Sequence, residues 1–218
     1  EGTLHEGSLD LRVKSVATFS QIQIHKPYGG VVPEIASRNH LETVNHMVDQ
    51  ALGEASLTAA DVDAIAVTNR PGLVGALLVG VSAAKAMAYS LKKPLIAVHH
   101  LEGHAASVFL DRPEREPLPL PLLIAVVSGG HTNLYCVKTP PESWPEGFLR
   151  QSLIGRSRDD AAGEALDKSA QRLGFHYPGR VCIDRTAKNG VAKSLALSRA
   201  LPQKATYDFP FRGLQTAS

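Results

Sequence analysis

Between Ala64 and Val98 two short apolar runs flank one long one, and that order constrains the fold more than any other feature of the chain. Ala64-Ile65-Ala66-Val67-Thr68 and Leu95-Ile96-Ala97-Val98 have the length and composition of short buried strands. Leu73 to Leu91 is rich in Ala, Leu and Val and predicts a helix, with Gly75, Gly80, Ala83 and Ala84 small enough for close packing on a sheet. Asn69-Arg70-Pro71-Gly72 breaks the first run and Lys92-Lys93-Pro94 ends the helix. Strand, helix and strand in this order predict a βαβ unit with parallel strands, hence an α/β protein.

The remaining segments fit that class. Ile35, Leu41, Val44, Val48 and Ala51 recur at helical spacing, and Pro33 suits an early helix position. Thr58-Ala59-Ala60-Asp61 reads as a helix start. Asp111 to Pro121, rich in Pro and charge, reads as a linker between lobes. Leu122 to Val127, Ser128-Gly129-Gly130-His131-Thr132, then Asn133 to Val137 predict strand, tight turn and strand, the paired glycines letting the backbone turn sharply. Phe148 to Ile154 reads as a strand, Asp159 to Leu173 as a helix closed by Gly174, and Val181 to Gly190 as helical after the Pro178-Gly179 turn. Phe209 to Ala217 is a short apolar ending.

With 218 residues and 44% hydrophobic content the chain can bury a substantial core. Twenty-three basic against 21 acidic residues, a net charge of +2, make no electrostatic case for or against nucleic acid. Cys136 and Cys182 lie far apart in apolar surroundings, against a disulfide framework or a Cys-based zinc site and for a reducing, cytoplasmic setting. Glu1 to Asp10 is polar, and the longest apolar runs are interrupted by Gly, Lys or Pro before membrane-spanning length, so neither export nor insertion is expected.

Chemistry concentrates at His100-Leu101-Glu102-Gly103-His104. Imidazoles four apart on a helix share one face and can grip one metal ion, although an isolated pair more often lines a polar helix face. Here the pair follows a parallel strand, and ligand sites in open α/β sheets gather at carboxyl ends, which favours ligation. The order H-x-E-x-H differs from the H-E-x-x-H of zinc proteases. Ser128 to Gly130 can present N–H groups to a phosphate or be an ordinary hairpin, and the residues alone leave both open. Asp159 and Asp160 read as helix-capping charges, and Glu164 with Asp167 as one face directed either at a ligand or at solvent.

Five motifs occur in order: Gly29-Gly30-Val31-Val32-Pro33-Glu34-Ile35-Ala36-Ser37-Arg38, Pro71-Gly72-Leu73-Val74-Gly75-Ala76-Leu77-Leu78-Val79-Gly80, His99-His100-Leu101-Glu102-Gly103-His104, Val127-Ser128-Gly129-Gly130-His131-Thr132 and Asp159-Asp160-Ala161-Ala162-Gly163-Glu164-Ala165-Leu166-Asp167-Lys168. Together they resemble the tRNA N6-adenosine threonylcarbamoyltransferase family, in its bacterial and organellar branch, over roughly Gln21 to Ala217. Phe209 to Thr216 echoes a further family motif. The resemblance implies an actin, sugar kinase and Hsp70 ATPase-like two-lobed fold with mixed sheets, incomplete at both ends. Residues 1–110 would be the first lobe, without the family's opening strand and phosphate loop, and residues 111–218 part of the second. Segments that contact the nucleotide and supply a third metal ligand would follow Ser218, so the chain reads as a piece of a longer one.

By the same resemblance the activity is that of an acyltransferase, moving threonylcarbamoyl from threonylcarbamoyl-adenylate to N6 of adenosine 37 in tRNAs that read codons beginning with A. It implies one divalent metal per subunit, iron (Fe2+) ahead of zinc, with His100 and His104 as ligands. Val126, Val127, Ser128, Gly129, Gly130 and Asp167 would line the adenylate pocket, with Asp184 at the ribose; Glu102 would orient an imidazole or the incoming amine. No catalytic acid or base is assigned. The implied partners are tRNA, a paralogous subunit and a small ATPase, with no membrane. One departure is plain: the family's Tyr-Pro-Gly-Gly-Pro reads Tyr177-Pro178-Gly179-Arg180-Val181, where Arg180 either blocks the pocket or pairs with a phosphate. The alternative function is a non-catalytic scaffold of the same complex, which needs no histidine pair. A metallopeptidase is disfavoured by the position of Glu102, and a sugar kinase by the absent phosphate loop.

Overall fold

The computed structural model describes residues 2–5, 8–107, 110, 120–138, 153–191 and 206–213. The chain divides into two compact units, one of residues 1–25 and 31–117, the other of residues 26–30 and 118–218. The expected linker at Asp111 to Pro121 and the start of the strand expected from Phe148 lie mostly outside the described residues.

The first unit opens with an antiparallel hairpin of β1 (Gly2–His5) and β2 (Ser8–Leu11), and a single turn, α1 (Ile22–His25), follows. Helix α2 (Pro33–Glu54) begins with Pro33, whose fixed φ suits the first helical position. Buried His25 sets the entry to that helix: its Nδ1 accepts from the Val32 N–H at 3.3 Å, so its Nε2 carries the proton donated to Gln21 Oε1 at 3.1 Å. Thr58 and Asp61 close a capping box around a short 3-10 turn rather than a longer helix.

The βαβ unit is present. Strand β3 (Ile65–Arg70) pairs in parallel with β4 (Leu95–His99), Ile65 opposite Leu95, and α3 (Val74–Leu91) crosses between them. Lys92, at φ 54°, ends α3 in a left-handed cap. Gly75 lies against Ser37 of α2, where an added Cβ would collide with the Ser37 hydroxyl, and Gly80 faces Val67 of β3. Two expectations change. Both strands are part exposed, Ile96 at 50%, because α3 covers one face of a sheet of only two strands. Helix α3 is also long and apolar enough to cross a membrane by length and composition. Gly75, Gly80 and Lys85 do not interrupt it, since a helix continues through such residues when its neighbours pack against it. It packs on α2 and β3 with Ala84 and Ala88 buried, while Val74, Leu78 and Tyr89 stay exposed.

Helix α4 (His100–Ala106) starts directly at the carboxyl end of β4, burying Leu101 and Ala105. In the second unit β5 (Leu122–Val127) and β6 (Thr132–Val137) form a hairpin in which Val127 faces Thr132, and β7 (Leu153–Arg156) pairs antiparallel on β6. Ile124, Val126, Tyr135 and Val137 are buried, and Leu123 and Val127, each 64% exposed, leave the opposite face of β5. Helices α5 (Ala162–Arg172) and α6 (Gly179–Ala187) pack together, a Cβ on Gly179 having no room beside Ala170. Gly174, at φ 83°, closes the region after α5 as the sequence predicts.

Candidate functional site

In the first unit the site is built by one junction. His99 at the end of β4 accepts the Leu101 N–H on its Nδ1 at 3.3 Å, capping α4, a role the sequence reading missed. One helical turn then carries His100 and His104 to the same side, with Nε2 to Nε2 at 3.2 Å and ring centroids 4.4 Å apart. Two imidazole nitrogens at that separation can share a proton, or can both reach one ion at about 2.0–2.1 Å. The donor pair therefore fits a metal that prefers nitrogen ligands. Among the described residues no third His, Cys, Asp or Glu completes such a group. Glu102 does not join it, because side chains two apart on a helix do not face each other.

In the second unit the site is a turn held against two helices. The Ser128 N–H donates to the His131 carbonyl at 2.8 Å, and the His131 N–H donates to Ser128 Oγ at 3.0 Å. The first amides of α5 dock on this hairpin: Ala162 N–H on Thr132 Oγ1 at 2.9 Å and Gly163 N–H on the Ser128 carbonyl at 3.2 Å. Of the three amides expected to face a phosphate, that of Ser128 is thus engaged across the turn. Those of Gly129 and Gly130 have no hydrogen-bond partner among the described residues. Neither glycine has positive φ, so sharp turning is not what requires them. Arg180 lies close by: a Cβ on Gly129 would stand 2.7 Å from its Nη1, a side-chain tip that can move aside, and one on Gly130 would meet nothing within 4 Å. Val126 is buried and Val127 exposed on the other face, so the two side chains cannot line one wall.

The helix charges are partnered by residues distant in the chain or one helical turn away. Asp167 Oδ1 accepts the Arg180 N–H at 2.8 Å, and Lys168 bridges Asp160 at 2.8 Å and Glu164 at 2.9 Å. Asp184 is exposed on α6. Capping does not explain Asp159 and Asp160, because α5 begins only at Ala162 with no side-chain cap. Asp159 instead receives the N–H groups of Phe211 at 2.7 Å and Arg212 at 3.1 Å, binding the chain's last described segment, which also bridges Ser157 through Phe209. Burial taken alone raises the Asp159 pKa; the Phe211 and Arg212 amides, the Ser157 hydroxyl and the Asp160 amide outweigh it and hold the carboxyl below its ordinary 3.8. With the folded value below the unfolded one, this stabilisation is complete above about pH 4 and is lost as pH falls through the folded value. Asp159→Asn is expected to cost about 1–3 kcal/mol in urea unfolding at pH 7, typical of charge-assisted bonds. It should also flatten the stability profile below pH 4; an unchanged acid limb would show that Asp159 does not carry it.

These features define an α/β protein with a parallel βαβ unit ending in a histidine pair and a hairpin whose glycine turn is docked on helices. The chain belongs to the tRNA N6-adenosine threonylcarbamoyltransferase (TsaD) family, which matches residues 12–218, from ahead of Gln21, where the motif resemblance begins. It is 52% identical over 198 residues to the protein of that name from Anaeromyxobacter sp. (strain Fw109-5), covering 91% of this chain and 56% of that protein. The Syntrophus aciditrophicus protein is 52% identical over 91% of this chain and 55% of its own length, and that of Syntrophotalea carbinolica 49% over 94% and 57%. The chain thus spans about half the length of the curated relatives it matches. Among solved structures, YeaZ from Pseudomonas aeruginosa aligns with a TM-score of 0.35 and 23% identity over 47% of each chain.

Proposed function

We propose that this protein transfers the threonylcarbamoyl group from threonylcarbamoyl-adenylate to N6 of adenosine 37 in tRNAs reading codons that begin with A. Family membership supports the reaction class. The observation that carries the assignment to this chain is the pair of Nε2 atoms 3.2 Å apart at the carboxyl end of β4. His100 and His104 would hold one divalent ion, Fe2+ ahead of zinc, which when bound supplies Lewis-acid polarisation of a carbonyl.

The chain's own residues act on the other substrate. Gly129 and Gly130 would receive the adenylate phosphate on their amides, and Asp167 and Asp184 would face the nucleoside. A held phosphate keeps AMP in place as the leaving group: the bond from the carbamoyl carbon to the phosphate oxygen breaks, a bond to N6 forms, and N6 gives up a proton. The two units would be the lobes of an actin-like nucleotide-binding fold, working in the cytoplasm with a paralogous subunit and a small ATPase.

The test is to incubate the protein, with those accessory subunits, with threonylcarbamoyl-adenylate and an unmodified tRNA of this class. Threonylcarbamoyladenosine and AMP should form in equal amounts. AMP release without modified nucleoside would reduce the activity to hydrolysis and sink the assignment.

A further inference from the structure

Several polar groups around the glycine turn are closed to a ligand. The Ala162 and Gly163 amides at the start of α5 are engaged by the hairpin, the Ser128 amide by His131, and the Arg180 amide at the start of α6 by Asp167. What remains, among the described residues, is the pair of amides at Gly129 and Gly130 and the side chain of Arg180. Its Nη1 lies against the turn, 2.7 Å from where a Cβ on Gly129 would stand and 3.1 Å from one on Gly163. The ion pair of that nitrogen with Asp167 Oδ2 is 3.8 Å long, well beyond the roughly 2.7–2.9 Å of a charge-assisted hydrogen bond. The Arg180 side chain is 44% exposed, and nothing among the described residues stands within 4 Å of a Cβ on Gly130, so the turn is open on that side.

We propose that Arg180, with the Gly129 and Gly130 amides, forms the seat for the adenylate phosphate, and that Asp167 is the counter-charge which holds the guanidinium there until a phosphate replaces it. This rests on the adenylate reading of the turn and makes Arg180 a binding residue of this chain. A planar guanidinium fork matches two phosphate oxygens, and a loose pair with one carboxylate leaves its donors available for them.

Titrating AMP and adenosine separately into the 218-residue chain and into R180G isolates the phosphate. R180G is expected to weaken AMP about tenfold and leave adenosine unchanged, with R180K between the two because it keeps charge but loses the fork. If R180G binds AMP as tightly as the parent or more tightly, while adenosine still binds, Arg180 occludes the turn or stands idle: the proposal falls and the adenylate reading survives. If neither ligand binds the parent or R180G, both melting as folded proteins, the adenylate reading falls as well. R180Q, which keeps the bulk without the charge, takes the place of R180G should the glycine lower the thermal midpoint, and it should show the same selective loss of AMP.

Discussion

Replacing His100 and His104 together by alanine is expected to abolish metal binding while leaving the fold intact. Their Nε2 atoms are the convergent donors at the carboxyl end of β4, and no third acidic, histidine or cysteine side chain joins them among the described residues. A site with two protein nitrogens loses its chelate geometry when either goes, so each single replacement should weaken Fe2+ or Zn2+ binding by about 100-fold or more. Stability should hardly move. His104 is exposed, Leu101 and Ala105 carry the buried face of α4, and alanine is the better helix former, so for His104→Ala the thermal midpoint should shift by no more than about half a kcal/mol implies. Metal content by mass spectrometry and binding by calorimetry decide it: a double variant that keeps the parent's stoichiometry removes these histidines from the site.

Gly163→Ala is expected to damage the second unit through a single methyl group. The new Cβ would stand 2.8 Å from Gly129 Cα and 2.9 Å from the Ser128 carbonyl oxygen, both backbone atoms of a turn tied by its own hydrogen bonds. Neither can swing aside as a side-chain tip does. Overpacking of this kind costs about 1–3 kcal/mol, and loosening the Gly163 to Ser128 bond adds about 1. The helix propensity gained by alanine offsets about 1, so the net loss should be about 1–3 kcal/mol. Gly130→Ala, with open space around the new methyl, should change stability by less than about half a kcal/mol. Comparable urea midpoints for the two variants would show that the turn is not pressed against α5.

Where the controlling interactions are local, the sequence reading holds. The βαβ unit, α2 and the hairpin fall within a few residues of their expected bounds, and His100 and His104 meet because four residues make about one helical turn. The glycine turn is legible in the sequence but its surroundings are not: Gly129 has no positive φ, and the guanidinium of residue 180 lies beside it. Asp159 shows the same limit more sharply. Beside a helix start it has the appearance of a cap, yet its oxygens bind amides 52 and 53 residues further on.

By itself, then, the sequence determined the α/β class, the βαβ unit and the histidine pair, because periodicity and i,i+4 spacing act within a turn of chain, and its five ordered motifs carried the family resemblance. Only the tertiary structure decided that Asp159 holds the Phe211–Arg212 segment, that the first amides of α5 dock on Thr132 and Ser128, and that Arg180 lies over the turn. Those outcomes depend on which distant backbone groups packing brings within about 3 Å of one another, and no local spacing encodes that distance.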